Sequence, residues 1–175
     1  MAIDPEVSEK FQQIAKGAIL SSIESKHVQY ISMADRRAQG ILTISSILIP
    51  FSLAQINKPE YHDGVLVFLV AAIITIIAAL LCLNPKRYKR KEKDRRQLLH
   101  FSGITEFDKE TYLSRMGDLL SNTDKLAKEV ASDLYHLSND VLAPKFRYLR
   151  IAYCTFAIGI VSGTLLIING FAHLF

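Results

Sequence analysis

The sequence has few of the residues and motifs from which enzyme and metal sites are usually built. It has no tryptophan, and its two cysteines, Cys82 and Cys154, lie inside apolar runs, which excludes a scaffold held by disulfides. The patterns GxxxxGK with Ser or Thr, GxGxxG, GxSxG, HExxH and CxxC are absent. The five histidines are scattered without ligand spacing. We therefore expect no catalytic residues, no metal site, no cofactor and no enzymatic activity.

Charged side chains are missing from three long stretches of the chain. These stretches are Ala38–Ile56, Val65–Leu83 and Ile151–Phe175. About 20 apolar residues in a helix suffice to cross a bilayer. The first stretch is the most polar, and a buried amphipathic helix of a soluble protein is its alternative interpretation. The short connection at 57–64 favours a membrane hairpin. We therefore predict an all-α membrane protein with three transmembrane helices and a cytoplasmic helical layer.

The distribution of positive charge predicts the orientation of these spans. The segment Lys86–Arg96 holds eight Lys or Arg and two acidic residues, whereas the 57–64 connection holds one Lys, one Glu and one Asp. Loops rich in Lys and Arg stay in the cytoplasm. We expect a multi-pass membrane protein whose N-terminus and central region are cytoplasmic and whose 57–64 loop and C-terminus lie outside.

Outside the spans the apolar residues recur at helical spacing. Pro5 follows an N-cap acid, and few helix breakers separate Val7 from Ile49, so the first span can continue one long helix. A second apolar stripe occupies Thr123–Ala143. Asp108 or Thr105 is expected to cap a short helix before it, and Pro144 to stop or kink the chain. The predicted segments are an N-terminal cytoplasmic amphipathic helix (1–37), a transmembrane hairpin (38–83), a cytoplasmic basic and helical region (84–147) and a third transmembrane helix (148–175).

Three features allow more than one interpretation. The basic run at 86–96 can mark topology and attract anionic lipid, or its arginines can hold a nucleotide phosphate; nucleic-acid binding is not expected. Gly159 and Gly163 form a GxxxG pattern for helix–helix assembly, and we favour a contact between subunits over one within the subunit. The first span has a polar face that either packs internally or lines a pore between copies: Gln39, Thr43, Ser46 and Pro50.

Three segments resemble the Pycsar membrane effectors of bacterial anti-phage defence. Met33–Leu42 resembles the family's Asp-x-Lys-Ala pattern at the first span, although Arg36-Arg37 replaces the usual arrangement. Gln97–Met116 resembles a Leu-Leu-Phe-Phe-Gly … Glu-Tyr stretch, although His100 stands where an aromatic is common. Asp133–Gly159 resembles the Asp-Leu-Tyr … Leu-Arg-x-Ala-Tyr signature and is the most specific of the three.

The resemblance implies a function in phage defence. A partner cyclase would make cyclic UMP or cyclic CMP on infection, and the effector would respond by impairing the inner membrane, which causes abortive infection. Membrane lipid, the nucleotide and further copies in a homo-oligomer are the expected partners. Because no segment here suits a separate β-roll, we expect the cytoplasmic helices to sense the nucleotide. Their candidate ligand-binding residues are Arg95, Arg96, Phe101, Tyr135, Lys145 and Arg147.

A second class of function remains open from the sequence. The chain can be a non-lytic membrane scaffold or receptor subunit that docks a cytoplasmic protein through its helical layer. A pyrimidine nucleotide cyclase encoded beside it would favour the effector.

Overall fold

The described part of the chain is helical, as predicted. The computed structural model describes residues 5–84, 98, 99, 104 and 107–172, and within them it has no strand. The helices are α1 (Pro5–Gln55), α2 (His62–Leu83), α3 (Lys109–Leu120), α4 (Thr123–His136), a π-helix (Leu137–Leu142) and α5 (Ala143–Ala172). Among the residues described, three stretches are long and apolar enough to cross a membrane: Gln13–Gln55, His62–Leu83 and Thr123–Gly170. This confirms the all-α membrane class.

The chain folds into two compact units. The first, here called the polar unit, comprises the described residues of Met1–Tyr30 and Lys86–Leu142. The second, here called the membrane unit, comprises those of Ile31–Pro85 and Ala143–Phe175. The division falls at residues 30, 85 and 142, whereas the segments predicted from sequence meet at 37, 83 and 147.

Local sequence explains where the helices begin. Pro5 is the first residue of α1, which runs without interruption to Gln55, as the scarcity of breakers predicts. The Asp108 carboxylate caps α3 by accepting a hydrogen bond of 2.9 Å from the Thr111 amide. That hydrogen bond stabilises the ionised form and lowers the pKa of Asp108 from its ordinary 3.8. Asn122 caps α4 in the same way, and its side-chain oxygen accepts from Lys125 N at 3.1 Å.

Pro144 changes the type of helix rather than ending it. It lies in the first turn of α5, directly after the π-helix Leu137–Leu142. Proline has no amide hydrogen, and its ring in a regular α-helix would clash with the carbonyl four residues earlier, here that of Asp140. A wider π turn before proline relieves this clash, so the helical form continues past Pro144 and the predicted stop is wrong.

Close approach of α2 and α5 forms the centre of the membrane unit. A Cβ added at Gly64 would lie 2.5 Å from Ile167 Cγ1 and 2.7 Å from the carbonyl oxygen of Gly163. One added at Gly163 would lie 2.8 Å from the Phe68 ring. A side chain on Gly159 would overlap Ala71 of α2. The GxxxG contact is therefore intramolecular, whereas the sequence analysis favoured a contact between subunits.

Helix α1 packs against this pair through small residues at two levels. At the first level Ala34 and Ala38 meet Cys82 of α2 and Leu149 of α5. At the second level Ile41 meets Ala78, Ala79 and Ala152. In lipid no hydrophobic force drives helices together, so van der Waals contact between closely spaced backbones supplies much of the association. Small side chains permit that spacing.

This packing predicts that Gly64→Ala and Gly163→Ala destabilise the protein. Each new methyl group would have to separate α2 from α5, and overpacking of this kind costs about 1–3 kcal/mol. Gly17→Ala is the matched control, because a Cβ there meets nothing within 4 Å. The thermal unfolding temperature in detergent should fall for the first two variants and not for the control. Equal unfolding temperatures for all three variants would contradict the packing described.

Candidate functional site

A buried ion pair lies where α1 and α5 meet in the membrane unit. Lys145 is the third residue of α5, and its Nζ donates to Asp35 Oδ1 on α1. The Lys145 side chain is 11% exposed and that of Asp35 is 31% exposed. The two residues are 110 positions apart in sequence, so the pair joins the first and third candidate spans.

The surroundings of this pair are apolar. Within the same part of the membrane unit, Ala34, Cys82 and Leu149 form a buried cluster, with Phe146 and Tyr148 against it. The aliphatic side chains of this cluster cannot compensate an ammonium group, and removing one member of a largely buried pair leaves an uncompensated charge. Asp35 therefore fixes Lys145 within the bundle.

A second polar contact lies within the polar unit. His27 on α1 donates from Nδ1 to the Ile23 carbonyl at 2.8 Å, and its Nε2 lies 2.6 Å from Ser138 Oγ in the π-helix. The Ser138 hydroxyl also donates to the Leu134 carbonyl at 2.8 Å. Nearby on the same helical run, Asp133 has a buried Oδ1 without a hydrogen-bond partner. The His27 side chain of α1 thus contacts Ser138 in the π turn. Such an irregularity is often found at functional sites.

The predicted ligand-binding residues fall into three groups. Arg95, Arg96 and Phe101 lie outside the described residues. Tyr135 is exposed on α4 in the polar unit, and its ring meets the His136 ring edge-on at 5.7 Å. In the membrane unit Arg147 is exposed and Lys145 is buried. Residues two apart on a helix point in different directions, so one bound phosphate cannot be held by Lys145 and Arg147 as neighbours on one face.

The membrane unit also contains an apolar cleft near the connection between α1 and α2. Its volume is about 430 Å³. Lys58 is the charged member of its lining, and the Lys58 ammonium lies 5.6 Å from the Tyr61 ring centroid. The other lining residues are Leu48, Phe51, Ser52, Gln55, Val65, Phe68 and Ile167. Ile167 lies near the end of α5 and Lys145 at its beginning, so this cleft and the ion pair occupy opposite ends of that helix.

Sequence reasoning selected Lys145 but not its partner Asp35. An ionisable residue beside a membrane span is costly unless an opposite charge lies nearby. This rule could have indicated an acidic partner for Lys145. Asp35 is the acidic residue that immediately precedes the uncharged run from Ala38. The contact between His27 and Ser138 left no comparable signal, because both residue types are common on helix surfaces.

The ion pair predicts a specific pattern of stabilities. Lys145→Met should destabilise the protein by a few kcal/mol, less than the 3–5 kcal/mol of a fully buried pair because Asp35 is partly exposed. Adding Asp35→Asn should restore part of the loss, since no unpaired carboxylate then remains. Arg147→Met, at an exposed position on the same helix, is the control. Unfolding temperatures in detergent are compared for the wild type, Lys145→Met, Asp35→Asn, the double variant and Arg147→Met. A loss in the double variant equal to the sum of the two single losses would refute the coupling.

Comparison with known proteins identifies the family of the chain. A family model for the Pycsar effector protein domain matches residues 19–170, which include the larger part of all three apolar helices. Searches of curated proteins and of solved structures find no match. The matched region contains Asp35, Lys145, His27 and Ser138. The chain therefore belongs to the Pycsar effector family and is a membrane-located effector of cyclic-pyrimidine anti-phage signalling.

Proposed function

We propose that this effector binds cyclic UMP or cyclic CMP from a partner cyclase and then impairs the inner membrane as a homo-oligomer. Loss of membrane integrity stops the infected cell before phage are released, which is abortive infection. The observation that carries this proposal is the match to the effector family across three helices apolar enough to span a bilayer. The protein then acts without catalysis, through the response of its helices to a ligand.

The proposed topology places the polar unit in the cytoplasm. The connection between α1 and α2 is short, as an antiparallel hairpin requires, and its charges nearly cancel. The basic run at 86–96 lies in the sequence between α2 and α3, and positive loops remain on the cytoplasmic side. The N-terminus is then cytoplasmic and the C-terminus periplasmic.

The proposed nucleotide site combines cationic groups for phosphate with rings for the base. Arg95, Arg96 and Phe101 are candidates from the sequence alone. Of the other candidates, Tyr135 is exposed on α4 in the polar unit and Arg147 is exposed on α5 in the membrane unit. Arginine forks match the geometry of phosphate oxygens. Lys145 joins the site only by exchanging the Asp35 carboxylate for a phosphate oxygen, since its ammonium is already engaged.

Topology is tested by reporter fusions. Fusions within residues 57–63 should report the periplasm, because this connection lacks the positive charge that retains a loop. Fusions within residues 120–125 should report the cytoplasm. A cytoplasmic signal from 57–63 would contradict the three-span arrangement.

Nucleotide response is tested by thermal stabilisation of the purified protein in detergent. Cyclic UMP or cyclic CMP should raise the unfolding temperature, and cyclic AMP should raise it less, since a ligand at 100 times its Kd adds about 2.7 kcal/mol. The same nucleotide should depolarise vesicles that contain the protein.

Charge reversal locates the phosphate contact. The double variant Arg95→Glu with Arg96→Glu should weaken the thermal shift. The control, Lys125→Glu with Lys128→Glu, changes the net charge by the same amount at exposed positions of α4 and should preserve the thermal shift. Absence of a shift with all three nucleotides would favour the non-lytic scaffold or receptor subunit.

A further inference from the structure

The membrane part of α1 has a polar face that turns away from α2 and α5. Ala38, Ile41 and Ser45 are buried in the bundle. Gln39, Thr43, Ser46 and Pro50, here called the α1 stripe, are all exposed. They follow one another at steps of four, three and four residues, which places them on one side of the helix. Internal packing within the subunit, one interpretation from sequence, is therefore excluded for this face.

Proline removes one backbone donor from the α1 stripe. Pro50 lies inside α1 and cannot donate to the carbonyl of Ser46, four residues earlier. Thr43 and Ser46 direct their hydroxyls to their own helix, to the carbonyls of Gln39 and Leu42 at 3.0 and 2.8 Å. Lipid tails offer no donor, so a donor from a second helix can replace the one that Pro50 lacks.

Gly40 leaves room beside the α1 stripe. A Cβ added there would meet nothing within 4 Å. At the other glycines described in the membrane unit, a neighbour within the subunit already occupies the space that a Cβ would need. These glycines are Gly64, Gly159, Gly163 and Gly170. Gly40 follows Gln39 by about 100° around the helix, so it lies at the edge of the stripe rather than on it. The absence of a side chain there leaves that edge open, and no helix of the same subunit covers it.

We propose that the α1 stripe is the surface through which copies of this chain pack against one another in the membrane. All copies insert with the same orientation, so symmetry brings the same residues to one level. The Gln39 amide both donates and accepts and can therefore pair with its counterpart. The hydroxyls of Thr43 and Ser46 can rotate to reach the freed Ser46 carbonyl of the second copy. The stripe is uncharged and self-complementary, which favours an identical partner.

This inference deepens the proposed function, since it assigns the surface of the proposed homo-oligomer. The test is disulfide cross-linking in native membranes, with and without cyclic UMP and cyclic CMP. Cys154→Ala removes the exposed cysteine, and Cys82 stays because it is fully buried. Thr43→Cys and Ser46→Cys report on the stripe. Ile158→Cys and Leu165→Cys are controls at positions of α5 that are 66% and 61% exposed.

The stripe cysteines should yield several-fold more covalent dimer than the controls, in at least one of these conditions. Gln39→Leu, combined with Ser46→Cys, should sharply reduce that dimer, because it removes the amide that pairs with its counterpart in the second copy. Control cysteines that cross-link as well as the stripe, or Gln39→Leu without effect, would overturn the proposal.

The proposed function and the proposed interface can be contradicted independently of each other. If Thr43→Cys and Ser46→Cys cross-link but no nucleotide depolarises vesicles, the interface stands and the lytic function falls. If a cyclic pyrimidine nucleotide depolarises vesicles while the stripe does not cross-link, the function stands and this interface falls.

Discussion

A helix in lipid must satisfy its polar groups and find its partners without help from water, and this constraint shapes the membrane unit. Since apolar surface gains nothing by leaving lipid for protein, association depends on backbones that come close. Gly64 and Gly163 meet this condition for α2 and α5. The alanines of α1 and α2 then allow the third helix to lie against both. Large apolar residues are left for the outer surface, including Ile73, Ile158 and Leu165.

The ion pair of Asp35 and Lys145 adds direction to this otherwise non-directional packing. Van der Waals contact between small residues tolerates rotation and sliding, whereas a charge pair in apolar surroundings is satisfied at one register only. Lys145 also follows Pro144 and the π turn, so a change in helical winding there would rotate its side chain relative to Asp35. The chain thus places its most register-sensitive contact beside its least regular helical segment.

Sequence predicted the elements of this fold better than their contacts. Uncharged runs located the three spans, and Asp108, one of the two expected caps, located the start of α3, because these signals act within a few residues. The partners of Gly163 and Lys145 lie about a hundred positions away, and a helix face does not specify which helix covers it. The GxxxG pattern correctly indicated a close contact between helices. Whether that contact lies within one subunit or between two could be read only from the packing of the folded chain.

The α1 stripe also bears on how one copy can remain in the membrane before activation. Its hydroxyls are satisfied by the helix's own carbonyls, so in lipid the uncompensated groups reduce mainly to the Ser46 carbonyl and the Gln39 amide. Exposing such a face to lipid costs little free energy, and covering it with another copy lowers the free energy modestly. Under the proposed function the effector stays harmless until a nucleotide appears, and a strongly polar or charged face would instead drive assembly at all times. A modest difference in free energy between the separate and the assembled state is small enough for the binding of a ligand to shift.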